Sequence, residues 1–145
     1  MSSELIFVTG ATGFIGAATA LAALEAGYRL RISVRKETQI DKLKEVFSAY
    51  ADKLEFVVVP DITAEGAFSK VLDNVDYILH LASPLASSPD KNEIFPPAIK
   101  GTVGILRDAA RISSIKKVVI TSSIAALVPI DGAPEGEVIK GKYNN

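Results

Sequence analysis

Apolar residues along the chain fall into short solid runs separated by longer stretches of helical period. Leu5-Ile6-Phe7-Val8-Thr9 carries no polar alternation and stops at Gly10, as expected of a strand buried on both faces of a parallel sheet. Ala17 to Ala26 is rich in small, strong helix formers, and Gly27 supplies a stop. Residues 29–34 read as a second strand. Leu43, Val46, Phe47 and Tyr50 recur at helical spacing, with Thr38 as the expected N-cap. Phe56-Val57-Val58-Val59 predicts a third strand closed by Pro60; Phe68, Val71 and Leu72 predict a short helix; Tyr77 to Leu81 predicts a fourth strand. After a Ser-, Pro- and Ala-rich loop from Ser83 to Pro89, the residues Ile99, Val103, Leu106 and Ala110 predict the inner face of a helix with Pro97 in its first turn. Val118 to Thr121 predicts a fifth strand. From Pro129 onward Gly and Pro punctuate the chain without helical period.

Strand and helix alternate four times before that fifth strand. Right-handed crossovers then give an α/β fold: a Rossmann-type parallel sheet with helices on both faces and strand order 3-2-1-4-5. The predicted switch point lies between the first and fourth strands. Ligands bind beyond the carboxyl ends of the strands at such a point, which directs attention to residues 10–16, 35–42, 61–63, 82–90 and 121–124.

Composition narrows the classes. The 145 residues suit one domain, expected over 1–145, and 48% hydrophobic residues suffice for a core. A net charge of −1 argues against a nucleic-acid binder and against a polybasic membrane-surface protein. With no cysteine there are no disulfides, thiol nucleophiles or Cys-based zinc sites, and no metal site is expected. Met-Ser-Ser-Glu lacks a signal peptide's positive start, and the apolar run after it is far shorter than a membrane span. The expectation is a cytoplasmic protein.

The strongest chemical signal is Thr9-Gly10-Ala11-Thr12-Gly13-Phe14-Ile15-Gly16, at the junction of the first strand and helix. Ten glycines in the chain give on the order of 0.05 such evenly spaced triplets by chance. Gly10 permits a tight turn, Gly13 lets backbone N–H groups approach a pyrophosphate, and Gly16 lets the helix pack closely. The helix N-terminus then offers its positive end to the phosphates. No Gly-Lys-Ser/Thr follows, so a P-loop is excluded. An NAD-selective site would place an acid near the end of the second strand. Here the stretch is Ile32-Ser33-Val34-Arg35-Lys36. Arg35 sits about 20 residues past the last glycine, where a 2′-phosphate would lie, and a guanidinium matches that group with parallel hydrogen bonds. Lys42 adds a second charge, and segment 29–44 holds six basic residues against two acids. NADP(H) is therefore expected over NAD(H).

Asp61 can accept from an adenine amino group while Ile62 packs on the ring; the plainer role for Asp61 is a helix-start charge beside Thr63. His80, the only histidine, lies inside an apolar strand, which favours a structural role over general-base catalysis. Leu81-Ala82-Ser83 leaves the sheet at the switch point, and Thr121-Ser122-Ser123 ends the fifth strand at the same rim.

These segments together carry a resemblance. Thr-Gly-Ala-Thr-Gly-Phe-Ile-Gly at 9–16, Val-Arg at 34–35, Asp-Ile at 61–62, His-Leu-Ala-Ser-Pro at 80–84, Lys-Gly-Thr at 100–102 and Thr-Ser-Ser at 121–123 resemble the extended short-chain dehydrogenase/reductase superfamily. Within it the chain is most similar to the dihydroflavonol reductase-like branch, which includes fungal NADPH-dependent carbonyl and methylglyoxal reductases. The resemblance implies that Gly10, Thr12, Gly13, Phe14, Ile15 and Gly16 hold the pyrophosphate. It implies that Arg35 and Lys42 hold the 2′-phosphate, that Asp61 and Ile62 meet adenine, and that Leu81, Ala82 and Ser83 line the ribose and nicotinamide. Ser123 would orient a small-molecule carbonyl substrate.

One departure stands out. The superfamily's chemistry uses a Tyr-x-x-x-Lys pair after the serine strand. Tyr28, Tyr50 and Tyr77 are followed four places on by Ile32, Leu54 and Leu81, and only Asn144 and Asn145 follow Tyr143. The chain therefore reads as the N-terminal, coenzyme-binding half of a reductase, truncated after the fifth strand. A nucleotide-sugar epimerase or dehydratase is disfavoured by Arg35, and a non-catalytic NADP-binding module is the reading if the 145 residues are a complete protein.

Overall fold

A computed structural model describes residues 4–84, 90–123 and 135–136. The elements run β1 (Leu5–Thr9), α1 (Phe14–Glu25), β2 (Arg29–Val34), a 3-10 turn (Glu37–Gln39), α2 (Ile40–Val46), a second 3-10 segment (Ser48–Lys53), β3 (Leu54–Val58), β4 (Tyr77–His80), α3 (Lys91–Ala109) and β5 (Lys117–Ile120). The five strands form one parallel sheet in the order β3-β2-β1-β4-β5. Sheet order and the β1/β4 switch point are as expected from the sequence.

The solid apolar run of β1 is explained by its two faces. Ile6 and Val8 point into a core with Ala20, Leu24, Ile32, Leu43 and Phe47. Leu5 and Phe7 point into a second core with Phe68, Leu72, Val75, Ile78 and Ile105. Successive strand side chains alternate between faces, so a strand covered on both sides has no polar position to offer. On α1 the buried residues are Gly16, Ala20 and Leu24, a narrow stripe whose small members let the helix lie close to what it covers.

Four local expectations are corrected. The first helix after β2 is capped by Gln39 rather than Thr38: Thr38 lies inside the 3-10 turn, and the Gln39 side-chain carbonyl accepts the N–H groups of Arg35 and Lys36. The third strand begins two residues early, at Leu54, because residues 54–58 pair with 30–34 of β2. The helix expected around Phe68, Val71 and Leu72 is a string of turns instead, closed by bonds such as Ser69 N–H to Gly66 O and Val71 N–H to Phe68 O. Gly66 at φ 65° and Asn74 at φ 60° are in the left-handed region and interrupt any helix there.

The fourth correction concerns α3. It starts at Lys91, where Asp90 accepts from Asn92 N–H, so Pro96 and Pro97 fall inside it rather than at its first turn. Its inner face is Gly101, Ile105, Asp108 and Ala109. Ile99 and Leu106, expected inside, are 60% and 40% exposed. Asp108 turns inward because its carboxylate accepts the N–H of Phe68. Gly101 turns inward because an added Cβ would already touch Ile62 and Pro84 at 3.4 Å.

The amino ends of the strands are tied by charge. Lys116 Nζ lies 2.8 Å from Glu4 and 3.0 Å from Asp76, and Asp76 also accepts from Leu5 N–H. These contacts fasten the starts of β1, β4 and β5 together. No described helix is long and apolar enough to cross a membrane.

Candidate functional site

The glycine turn is built on backbone contacts. Gly10 adopts φ 80°, and an added Cβ would stand 2.7 Å from the Ala82 nitrogen and 2.8 Å from the Leu81 carbonyl carbon. Gly16 packs against the same turn: its Cβ would overlap the Gly10 carbonyl oxygen and lie 2.6 Å from the carbonyl carbon. The close approach that Gly16 permits is thus helix against turn. Gly13 differs. It is exposed, it caps α1 in extended conformation, and its N–H donates to Gly10 O at 3.0 Å. No side chain caps this helix start and no acid lies in its first turn. The orphan N–H groups of a helix start and its positive dipole end are therefore open to an anion. Phe14 and Ile15 flank the opening, 93% and 61% exposed.

Thr9 joins this turn to the exit of β4. Its hydroxyl accepts the N–H groups of Leu81 and Ala82 at 3.2 and 3.0 Å and lies 2.9 Å from His80 Nδ1. His80 is buried and meets Phe68 edge to face. The Thr9 hydroxyl already accepts two N–H groups, so its own proton goes to His80 Nδ1, while a backbone hydrogen bond at Gly101 favours the charged ring. This is the structural role expected for His80. Leu81 and Ala82 are held by the Thr9 hydroxyl directly beside Gly10, and exposed Ser83 follows them. The pairing of Ile120 with His80 and the Thr121 N–H to His80 O bond bring the end of β5 to the same rim, with exposed Ser123 just beyond.

Burial lowers the His80 pKa below its ordinary 6.5, outweighing the Gly101 bond, which raises it. Below 6.5 the unfolded chain accepts a proton that the native chain resists, so stability is expected to fall as pH drops from 6.5 toward the lowered native value. Asp76 acts further down. Its bonds to Leu5 N–H and Lys116 hold it below 3.8, so its contribution is complete above that value and is lost as pH falls through the lowered native one. Denaturant midpoints measured from pH 8 to 3 check both, and the upper step should vanish in His80→Gln.

The end of β2 carries the remaining candidates. Arg35 and Lys42 are exposed. Arg35 lies near Asp61, whose carboxyl is held low chiefly by the hydroxyl and N–H of Thr63, with Arg35 and Lys100 adding to it. The Asp61 carboxylate closes an Asx turn with Thr63 at 2.7 and 2.8 Å, but no helix follows, so the helix-start role expected of it is corrected to that of a turn. Ile62 packs at Gly101. Lys42 lines a cleft of about 390 Å³ together with Thr12, Gly13, Phe14, Thr38 and Gln39. Arg35, Asp61, Ile62 and residues 81–83 lie outside that cleft's lining. The basic excess of segment 29–44 is smaller than its count. Arg29 and Arg31 belong to the amino end of β2 and bind Glu55, and Arg31 also donates to the carbonyls of Val71 and Asp73. Gln39 escaped the sequence reading; its spacing from Arg35 is the only signal that marks it.

A nicotinamide dinucleotide fits these residues. The turn is a cradle that side chains would fill at Gly10 and Gly16, and the helix start above it is uncapped. The profile of the NAD dependent epimerase/dehydratase family matches residues 6–144. The chain belongs to this family. Among epimerase/dehydratase relatives it is similar to ketoreductase sphI of Aspergillus fumigatus, 59% identical over 97% of this chain and 41% of that protein. It is also similar to aldehyde reductase 2 of Sporidiobolus salmonicolor, 36% identical over 87% of this chain and 37% of that protein. The solved structure of Gre2 from Candida albicans in complex with NADPH superposes with a TM-score of 0.81 at 34% identity, covering 88% of this chain and 39% of that one. The chain thus spans about two fifths of the length of these epimerase/dehydratase relatives.

Proposed function

We propose that this chain is the coenzyme-binding part of an NADP-dependent cytoplasmic reductase that transfers hydride to a ketone or aldehyde. The observation that carries the reading is the acid-free end of β2, where Val34-Arg35-Lys36 leads to Lys42 in a cleft shared with the glycine turn. In this reading the turn from Gly10 to Gly16, Thr12 and Gly13 included, receives the pyrophosphate, with the amides at Phe14 and Ile15 as donors. Arg35 and Lys42 receive the 2′-phosphate, and Asp61 and Ile62 border the adenine. Leu81, Ala82 and Ser83 border the nicotinamide ribose, and Ser123 holds the substrate carbonyl by its hydroxyl. The bound coenzyme supplies the hydride. The names of relatives such as ketoreductase sphI and aldehyde reductase 2 support a carbonyl substrate.

These 145 residues contain no Tyr-x-x-x-Lys pair, so by themselves they bind coenzyme without reducing a carbonyl. The domain covers 1–145 as the amino-terminal portion of that reductase. Epimerisation of a nucleotide sugar is the weaker reading, since Arg35 stands where an acid would serve the ribose hydroxyls of NAD.

The test is a titration of NADPH against NADH. A charge-assisted pair is worth about 1.5–3 kcal/mol. Arg35→Ala is therefore expected to remove a preference of roughly 10- to 100-fold while leaving NADH affinity in place. Equal affinities in the parent chain refute the reading.

A further inference from the structure

The turn that carries Arg35 is held by one side chain. Gln39 Oε1 accepts both Arg35 N–H and Lys36 N–H at 3.0 Å, and Gln39 N–H returns to Lys36 O at 3.0 Å. Residues 35–39 therefore form a closed ring of bonds. Nothing else among the described residues accepts those two N–H groups. The Arg35 guanidinium itself makes no hydrogen bond among the described residues, and the Asp61 carboxylate feels its charge. A free cation on a loose turn loses conformational freedom when it captures an anion, and fixing its backbone beforehand reduces that loss.

Gln39 also lines the cleft with Lys42 and the glycine turn. A glutamate at this position would accept the same two N–H groups, and more strongly. It would also place a negative charge beside a site built to take a doubly charged phosphate. The amide gives the same hold without charge.

We infer that Gln39 is a specificity-determining positioning residue: it fixes the Arg35 turn through an uncharged acceptor and so favours a 2′-phosphorylated adenosine nucleotide. The inference rests on the coenzyme reading above.

Two variants separate hold from charge, with adenosine 2′,5′-bisphosphate and 5′-AMP as probes on the full chain. Gln39→Met removes the acceptor. Amide exchange at Arg35 and Lys36 should quicken, and bisphosphate affinity should fall about tenfold with 5′-AMP changed less than about twofold. Gln39→Glu keeps the acceptor. Exchange at both amides should stay slow, yet bisphosphate affinity should fall at least as far, and the loss should shrink in high salt. Equal weakening of both nucleotides in Gln39→Met marks a merely structural residue and overturns the inference. So does Gln39→Glu binding the bisphosphate like the parent. A parent chain that prefers the bisphosphate, loses that preference in Arg35→Ala and keeps it in both Gln39 variants overturns the role of Gln39 alone. A parent with no preference overturns the coenzyme reading together with it.

Discussion

Replacing Gly16 by alanine is expected to destabilise the fold by about 4 kcal/mol or more and to remove dinucleotide binding with it. The added methyl would occupy the same space as the Gly10 carbonyl oxygen, and the nearest atoms are all backbone. Backbone on both sides cannot rotate away as a side chain does. The turn must open or α1 must lift from β1, which exposes the core around Ala20 and Leu24. Two neighbours make the test sharp. At Gly13 an added Cβ meets only the Gly10 oxygen, at an accommodating 3.4 Å, and the residue is exposed. Gly13→Ala should melt within a few degrees of the parent yet weaken NADPH binding, because in the proposed reading its methyl would stand where phosphate approaches. At Gly27, φ is 94° and the surrounding space is open. Gly27→Ala should lose about 1–2 kcal/mol through its left-handed backbone and bind coenzyme normally. Thermal melts paired with NADPH titrations measure all three. A Gly16→Ala chain within about 1 kcal/mol of the parent contradicts the geometry.

Thr9→Val is expected to be the second severe change, at about 2–4 kcal/mol, or on the order of 10 °C in Tm. Valine has the same shape, so packing is kept and only the hydroxyl is lost. That hydroxyl serves Leu81 N–H, Ala82 N–H and the buried Nδ1 of His80. Leu81 N–H retains the Thr9 carbonyl at 3.2 Å. Ala82 N–H and the His80 nitrogen have no substitute partner among the described residues and are left unmet in a place water reaches poorly. Thr9→Ser, which keeps the oxygen, should recover most of the loss. If valine is as stable as serine, the hydroxyl is not what holds the β4 exit.

Sheet order was legible because each strand announces itself by burial. A run such as Leu5 to Thr9 is apolar on both faces only in the middle of a covered sheet, and the glycine triplet marks the crossover that follows. The site was legible where backbone demanded a residue type, as at Gly10 and Gly16. It was less legible where a side chain satisfies local backbone. Gln39 looks like any surface amide until the N–H groups of residues 35 and 36 are traced to it. The face of α3 was misread for a related reason. Ranking by hydrophobicity sends Ile99 and Leu106 inward, whereas close approach to Ile62 and Pro84 requires Gly101, and the N–H of Phe68 requires Asp108. Small and charged residues won buried positions by contact distance and hydrogen bonding, neither of which a pattern of polarity records. The turns at 62–75 show the same limit: Phe68 and Leu72 need the core, and left-handed Gly66 and Asn74 bring them there without a helix.

The bonds that hold the N–H groups of residues 35 and 36 both end on Gln39, and the turn runs straight on into α2 through Ile40 N–H to Glu37 O. The knot around Thr9, His80 and Gly101 shares none of its atoms. Substitutions among the five residues after β2 are therefore expected to leave the bonds around Thr9 and His80 in place, so that either end can change without disturbing the other.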